Sequence, residues 1–121
     1  MKVLDSNILI YSFYEEYKYL RELIWGKDVF VSDISRLEVT GFHGLSQSEE
    51  EYFNNIFLIL KTHEINTQII DKAIELRRAY KMKLGDSIIA ATALVNEHEL
   101  FTRNMVDFIK IPDLKVVNPI L

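Results

Sequence analysis

Lys2-Val3-Leu4-Asp5 runs straight into Ser6-Asn7-Ile8-Leu9-Ile10-Tyr11, so a short apolar segment closes on an acid and then turns helical. Three further acids, Glu38, Asp86 and Asp107, lie at similar seams, where a β-like segment gives way to a helix or on the helix just after it. In a parallel α/β sheet these seams share one edge, and the crevice at the carboxyl ends of the strands is where ligands bind. Two carboxylates about 5 Å apart repel by roughly 3 kcal/mol at an effective dielectric of about 20, so four of them gathered there require a cation.

Working outward, the expected elements alternate. The first strand, Lys2 to Asp5, precedes an apolar stretch through Phe13 and an amphipathic helix from Glu15 to Trp25 that Gly26 ends. Val29 to Val31 reads as a second strand, with Ser32 or Asp33 capping a helix that runs to about Phe42 before Gly44. Ser46 to Leu60 carries helical spacing behind a start signal of Ser46, Gln47 and three glutamates. Thr62 to Asn66 is a weak strand, and Thr67 to Lys81 a clear amphipathic helix. From Asp86 to about Glu97 the pattern is apolar nearly all round, which predicts a buried helix. Leu100 to Thr102 and Lys115 to Val117 supply the last strands. This alternation predicts an α/β fold whose parallel sheet is covered on both faces.

Composition sets the bounds. The 121 residues suit one domain spanning 1–121, with 49% hydrophobic and 26% charged residues, an ordinary globular balance. There is no cysteine, which removes disulfides, thiolate chemistry and cysteine-ligated zinc, and suits a reducing cytoplasm. No apolar run approaches the roughly 18 residues of a membrane span, and no signal peptide is expected, so the reading is cytoplasmic. A net charge of −4 argues against nucleic-acid affinity through overall positive charge and leaves local binding open. The densest basic cluster, Arg77, Arg78, Lys81 and Lys83, reads as a solvated helix end favoured by the helix dipole.

Each acid has a plainer explanation. Asp5 and Asp86 could cap helices, and Asn104 with Asp107 has the spacing of a variant capping box. Glu38 does not fit that pattern: it shares the stripe of Ile34, Phe42 and Leu45, which should face the core. A carboxylate buried there is costly without a metal or a paired cation. Acids fill 18 of the 121 positions, so acids at all four seams exceed what composition supplies. Oxygen-only ligands select a hard ion, Mg²⁺ or Mn²⁺. The three histidines, His43, His63 and His98, show no close pairing or metal spacing, and zinc is not expected.

At this point the chain resembles a known family. Asp5-Ser6-Asn7 after the first strand, Glu38 after the second, Asp86 leading into Ile89-Ala90-Ala91 and Ala93, and Thr102 and Asn104 ahead of Asp107-Phe108 are similar to the PIN domain, specifically the VapC-type toxin ribonucleases. The closing Leu114-Lys115-Val116-Val117-Asn118-Pro119 is similar as well, so the likeness covers essentially the whole chain. It implies a PIN-like three-layer α/β/α sandwich around a mostly parallel sheet of four or five strands. It also implies a Mg²⁺ or Mn²⁺ site formed by Asp5, Glu38, Asp86 and Asp107, endonucleolytic cleavage of RNA, an antitoxin that blocks the site, and a homodimer. Gly85 departs from the family pattern, in which many members carry proline before the third acid.

The expected roles follow from charge. Asp5 and Asp86 are expected to hold the ion most directly, with Glu38 and Asp107 acting through water or on a second ion. Glu38 is the expected proton acceptor, because a core-facing site should raise its pKa. Asn7, Thr102 and Asn104 are expected to contact phosphate or metal-bound water. The aromatic run Tyr11, Phe13, Tyr14, Tyr17, Tyr19 and Trp25 exceeds what one core face accommodates, which predicts a partner surface. Two other classes share some of these features: a phosphoacceptor receiver domain, and a catalytically silent PIN-like module that only binds a partner. The first wants paired acids after strand one and an Asp ending strand three, where Asn66 stands; the second should have lost acids.

Overall fold

The computed structural model describes residues 1–121, and its sheet is built from five parallel strands: β1 (Lys2–Leu4), β2 (Val29–Ser32), β3 (Lys61–His63), β4 (Glu99–Phe101) and β5 (Val116–Val117). They lie in the order β3-β2-β1-β4-β5. The chain therefore winds one way from β1 through β3, then returns to the other side of β1 for β4 and β5. The direction reverses between β1 and β4, which makes the crevice above their carboxyl ends the switch point of the sheet. A receiver domain has the order 2-1-3-4-5, so that class is excluded.

The helices are α1 (Ser6–Ser12), α2 (Leu20–Ile24), α3 (Asp33–Thr40), α4 (Gln47–Ile59), α5 (Thr67–Ala79), α6 (Leu84–Val95) and the short α7 (Met105–Phe108). Adjacent residues of β1 point to opposite faces. Val3 joins Leu100, Ile69, Ala73, Leu76 and Phe108 in the core under α5 and α6, while Leu4 joins Val31, Ile8, Leu9, Leu20, Val39 and Phe53 under α1 to α4. This gives the three layers. As expected, α6 is buried on nearly every side, from Ser87 through Ala93. Its alanines at 90, 91 and 93 let it lie close to the sheet and to α5, and Thr92 turns its hydroxyl back to the Ile88 carbonyl at 2.7 Å.

Four boundaries differ from expectation. The stretch from Glu15 to Trp25 is not one helix: a 3-10 turn at Glu15–Tyr17 precedes α2. Arg21 stabilises the break by donating to the Ser12 and Phe13 carbonyls at 2.8 and 2.9 Å, which satisfies acceptors left open at the end of α1. The helix after β2 stops at Thr40, leaving Phe42 66% exposed. β3 starts and ends earlier than expected because Asn66 caps α5, accepting from the Ile69 amide at 2.9 Å. Finally, α6 begins at Leu84, which places Asp86 inside its first turn.

No helix is long and apolar enough to cross a membrane. Because Ala91 is fully buried in this dense layer, Ala91→Leu is expected to destabilise the fold by about 1–3 kcal/mol through overpacking, measured as the shift of the urea unfolding midpoint.

Candidate active site at the switch point

The carboxyl end of β1 delivers Asp5, and the carboxyl end of β4 delivers Thr102. The Asp5 amide donates to the Phe101 carbonyl at 2.9 Å, which fixes the two strand ends together. Thr102, itself fully buried, donates its hydroxyl to Asp5 Oδ2 at 2.7 Å and accepts from the Asn104 amide at 2.9 Å. Asp5 occupies the N-cap position of α1, yet its side chain makes no capping hydrogen bond. That carboxyl is only 5% exposed and is aimed at the crevice contacts instead of at its own helix. Capping does not account for it.

The other three acids arrive from separate elements. Glu38 projects from the last turn of α3 and accepts from Ser6 Oγ at 2.7 Å; Ser35 Oγ lies 2.9 Å from the same hydroxyl. Asp86 sits in the first turn of α6, whose positive end favours an anion. Asp107, on α7, accepts from Asn104 Nδ2 at 2.7 Å, so the variant capping box is instead a side-chain pair. Asn7 Oδ1 accepts from the Arg103 amide at 3.4 Å and ties α1 to the segment after β4.

Burial raises the Asp5 pKa to about 6; the Thr102 hydrogen bond opposes this, and the charges of Asp86 and Glu38 add to it. Asp86 is also raised, first by partial burial and then by the charges of Asp107 and Glu38, with Lys83 pulling the other way. Through Asp86 all four carboxyls feel one another. None of them forms a salt bridge; the chain's ion pairs are Lys18–Glu15 and Lys72–Glu75, both on the surface. No three Asp, Glu or His side chains converge closely enough to share an ion directly. An all-oxygen, mutually repelling set of this kind suits a small hard cation that takes one or two carboxylates and reaches the rest through water.

Two expectations are corrected here. Glu38 does not face the core: the buried residues of α3 are Ser35 and Val39, and Glu38 stands on the exposed side, toward α1 and α6. The stripe expected through Phe42 fails because the helix ends before it. Burial acts instead on Asp5 and, in part, on Asp86. The histidines are not isolated either, since His63 and His98, 35 positions apart, bring their Nε2 atoms to 3.2 Å. Burial lowers the pKa of both, and at His98 the charge of His63 lowers it further.

Sequence reasoning marked Gly85 only as a departure from the family pattern and overlooked Arg103. At Gly85, an added Cβ would stand 2.5 Å from Glu38 Oε2, so the absence of a side chain allows the first turn of α6 to abut that carboxylate. Arg103, between the already suspected Thr102 and Asn104, lays its guanidinium over the Tyr11 ring at 4.7 Å and also contacts the Tyr11 hydroxyl. Its position between two candidates was a signal in the sequence. The basic group Arg77, Arg78, Lys81 and Lys83 makes no salt bridge, and Arg77 and Arg78 lie in the last turn of α5 as a solvated helix end would.

An all-parallel α/β sheet with a carboxylate cluster over its switch point defines a class of small acid-site proteins. Within that class, the PIN domain model matches residues 2–114, and the chain belongs to the PIN domain family. Among solved structures, it is similar to a toxin–antitoxin complex from Klebsiella pneumoniae, at 34% identity over 99% of this chain and 98% of that one, with a TM-score of 0.82. It is similar to VapBC-1 from nontypeable Haemophilus influenzae at 25% identity, over 97% and 96% of the two chains, with a TM-score of 0.77. The fold is also that of VapBC2 from Rickettsia felis bound to a DNA fragment from its promoter, at 24% identity, 97% of both chains and a TM-score of 0.78. No curated protein matches the sequence.

The folded chain binds the Asp5 proton up to about pH 6, whereas the unfolded chain releases it near 3.8. Between those values the folded form holds more protons, so metal-free stability falls as pH rises through this window and the full cost, on the order of 3 kcal/mol, is present above pH 6. Asp5→Asn is therefore expected to raise the metal-free melting temperature at pH 7.5 and to flatten its decline between pH 4 and 6.5 in thermal scans in EDTA. A mutant no more stable than wild type at pH 7.5 would show that the burial is not costly.

Proposed function

We propose that this chain is a Mg²⁺- or Mn²⁺-dependent endoribonuclease and the toxin member of a toxin–antitoxin pair, with Asp5, Glu38, Asp86 and Asp107 as its catalytic, metal-binding set. The observation that carries the reading is the presence, over the sheet's switch point, of four coupled carboxylates with no cation paired to any of them. Membership of the PIN family and the 34% identity to a toxin–antitoxin complex support it.

In this reading Asp5 and Asp86 bind the ion directly, and Glu38 and Asp107 act through water. The ion, when bound, lowers the pKa of a coordinated water and offsets charge that grows on the scissile phosphate. The chain's own residues fix geometry. Thr102 holds one Asp5 oxygen in place, Ser6 orients Glu38, and Asn104 orients Asp107. Glu38 remains the proposed proton acceptor on grounds of access instead of burial, since it is the acid most open to solvent beside Asp86. Asn7 and Asn104 line the approach to the phosphate, while Thr102, fully buried, acts only through Asp5.

Arg103 and Lys83 flank the acids, and we assign them to the phosphates on either side of the cut, an otherwise anionic site needing local cations to hold a polyanion. The aromatic region after α1 supplies a partner surface. Tyr11 and Tyr17 meet edge to face at 4.9 Å and Phe13 stacks likewise on Tyr52 at 5.4 Å, while Tyr14 and Trp25 remain 46% and 58% exposed. An antitoxin is the proposed occupant, with a homodimer as the proposed assembly and the cytoplasm as the compartment. A catalytically silent, partner-binding PIN-like module is the competing reading.

Incubation of the purified chain with labelled single-stranded RNA separates the two. Cleavage with Mn²⁺ or Mg²⁺, its loss in EDTA, and a drop of about a hundredfold or more in Asp5→Asn and Asp86→Asn are expected. Mutants that cut at the wild-type rate would remove the site assignment, and a wild type that never cuts would favour the silent module. Arg103→Ala is expected to weaken RNA binding and to reduce the slope of log affinity against log salt by about one, read by fluorescence anisotropy.

A further inference from the structure

Away from the acids, on the sheet face covered by α5 and α6, three rings from three parts of the chain meet. Phe30 of β2 stacks on His63 at 4.6 Å and on His98 at 5.0 Å, with both interplanar angles at 22°. The two imidazoles then present Nε2 to Nε2 across 3.2 Å. We propose that His63 and His98 form a bidentate site for a borderline divalent ion of the zinc, nickel or copper kind, separate from the acid site.

The argument is geometric. Two nitrogens each about 2.0–2.1 Å from a tetrahedral ion stand about 3.3 Å apart, close to the spacing found here. As a hydrogen bond the pair is unremarkable, because one ring must hold a proton on Nε2 while the other does not. As a chelate it is already assembled. Phe30 supports both ring planes, so little rotamer freedom remains to be lost when the ion binds.

Imidazole nitrogen selects late first-row ions over Mg²⁺, the reverse of the preference of the carboxylates at the switch point. The surrounding charges are mixed. The Lys61 ammonium lies over Phe30 at 5.7 Å and the Met1 amino group is near enough to His98 to act on it, while Glu97 and Glu99 flank His98 in the chain. Two ligands leave two positions for water or an anion. Such a site would tie the edge strand β3 to the turn before β4, two strands that are not neighbours in the sheet.

The test is a titration of the untagged chain with Zn²⁺ in excess Mg²⁺, followed by NMR of the three imidazoles. His63 and His98 signals are expected to move together and saturate at one equivalent, with the exposed His43 unmoved as an internal control. His63→Gln and His98→Gln are each expected to weaken zinc binding by more than the roughly 10–100-fold that loss of an outer partner costs a metal site. Both should leave Mn²⁺-dependent RNA cleavage unchanged, so failure here and failure of the nuclease reading are separately visible. Imidazole signals of the wild type that stay fixed at several equivalents of Zn²⁺, that move no more than His43, or a His63→Gln chain that binds as the wild type does, would each overturn the site. The wild-type measurement decides even where a variant fails to fold.

Discussion

Everything in this molecule is organised around a repulsion. A carboxyl, Asp5, is held almost out of water at the point where the sheet reverses direction, within reach of the charges of Asp86 and Glu38, with Asp107 acting on Asp86 in turn. The fold tolerates this because every other part of the arrangement is conventional. The strands alternate faces, the helices bury continuous apolar stripes, and the buried side-chain polar atoms all have partners. The cost is concentrated where a cation can relieve it.

The supports of the acids explain why the site is more than a coincidence of charge. Each of three carboxylates takes a hydrogen bond from a neutral side chain: Asp5 from Thr102 and Glu38 from Ser6, both across the fold, and Asp107 from Asn104 at the start of its own helix. Neutral donors orient a carboxylate without discharging it, whereas a lysine or arginine in the same place would cancel the charge an ion needs. Gly85 belongs to the same design. By leaving out a Cβ it lets α6 approach α3 closely enough for Glu38 and Asp86 to interact.

The His63–His98 pair is different in kind. It sits on the sheet, not over its switch point, its ligands are nitrogen, and an aromatic ring supports it instead of a hydroxyl network. Two sites of opposite chemical preference in a chain of 121 residues would select different ions from the same solution. The aromatic surface after α1 is a third feature, set by the Arg21 contacts that hold the break between α1 and α2.

The sequence alone determined the class of fold and the identity of the acids. Apolar runs of period two and stripes of period 3.6 are local properties, and an acid at the end of a strand must lie on the carboxyl edge of a parallel sheet wherever the neighbours fall. Asp5 was legible for that reason, and Asp107 follows β4 on the short α7, whereas Asp86 comes after α5 with no strand before it and reaches the same edge only through the packing of α6. Burial was not legible, because it depends on what packs above a residue. The stripe drawn through Glu38 assumed a helix continuing to Phe42, and the chain ended it at Thr40, so the cost of burial fell on Asp5. Only tertiary structure could bring His63 beside His98, Gly85 beside Glu38, or Thr102 onto Asp5, contacts across 35, 47 and 97 positions, since no local period relates residues so distant along the chain.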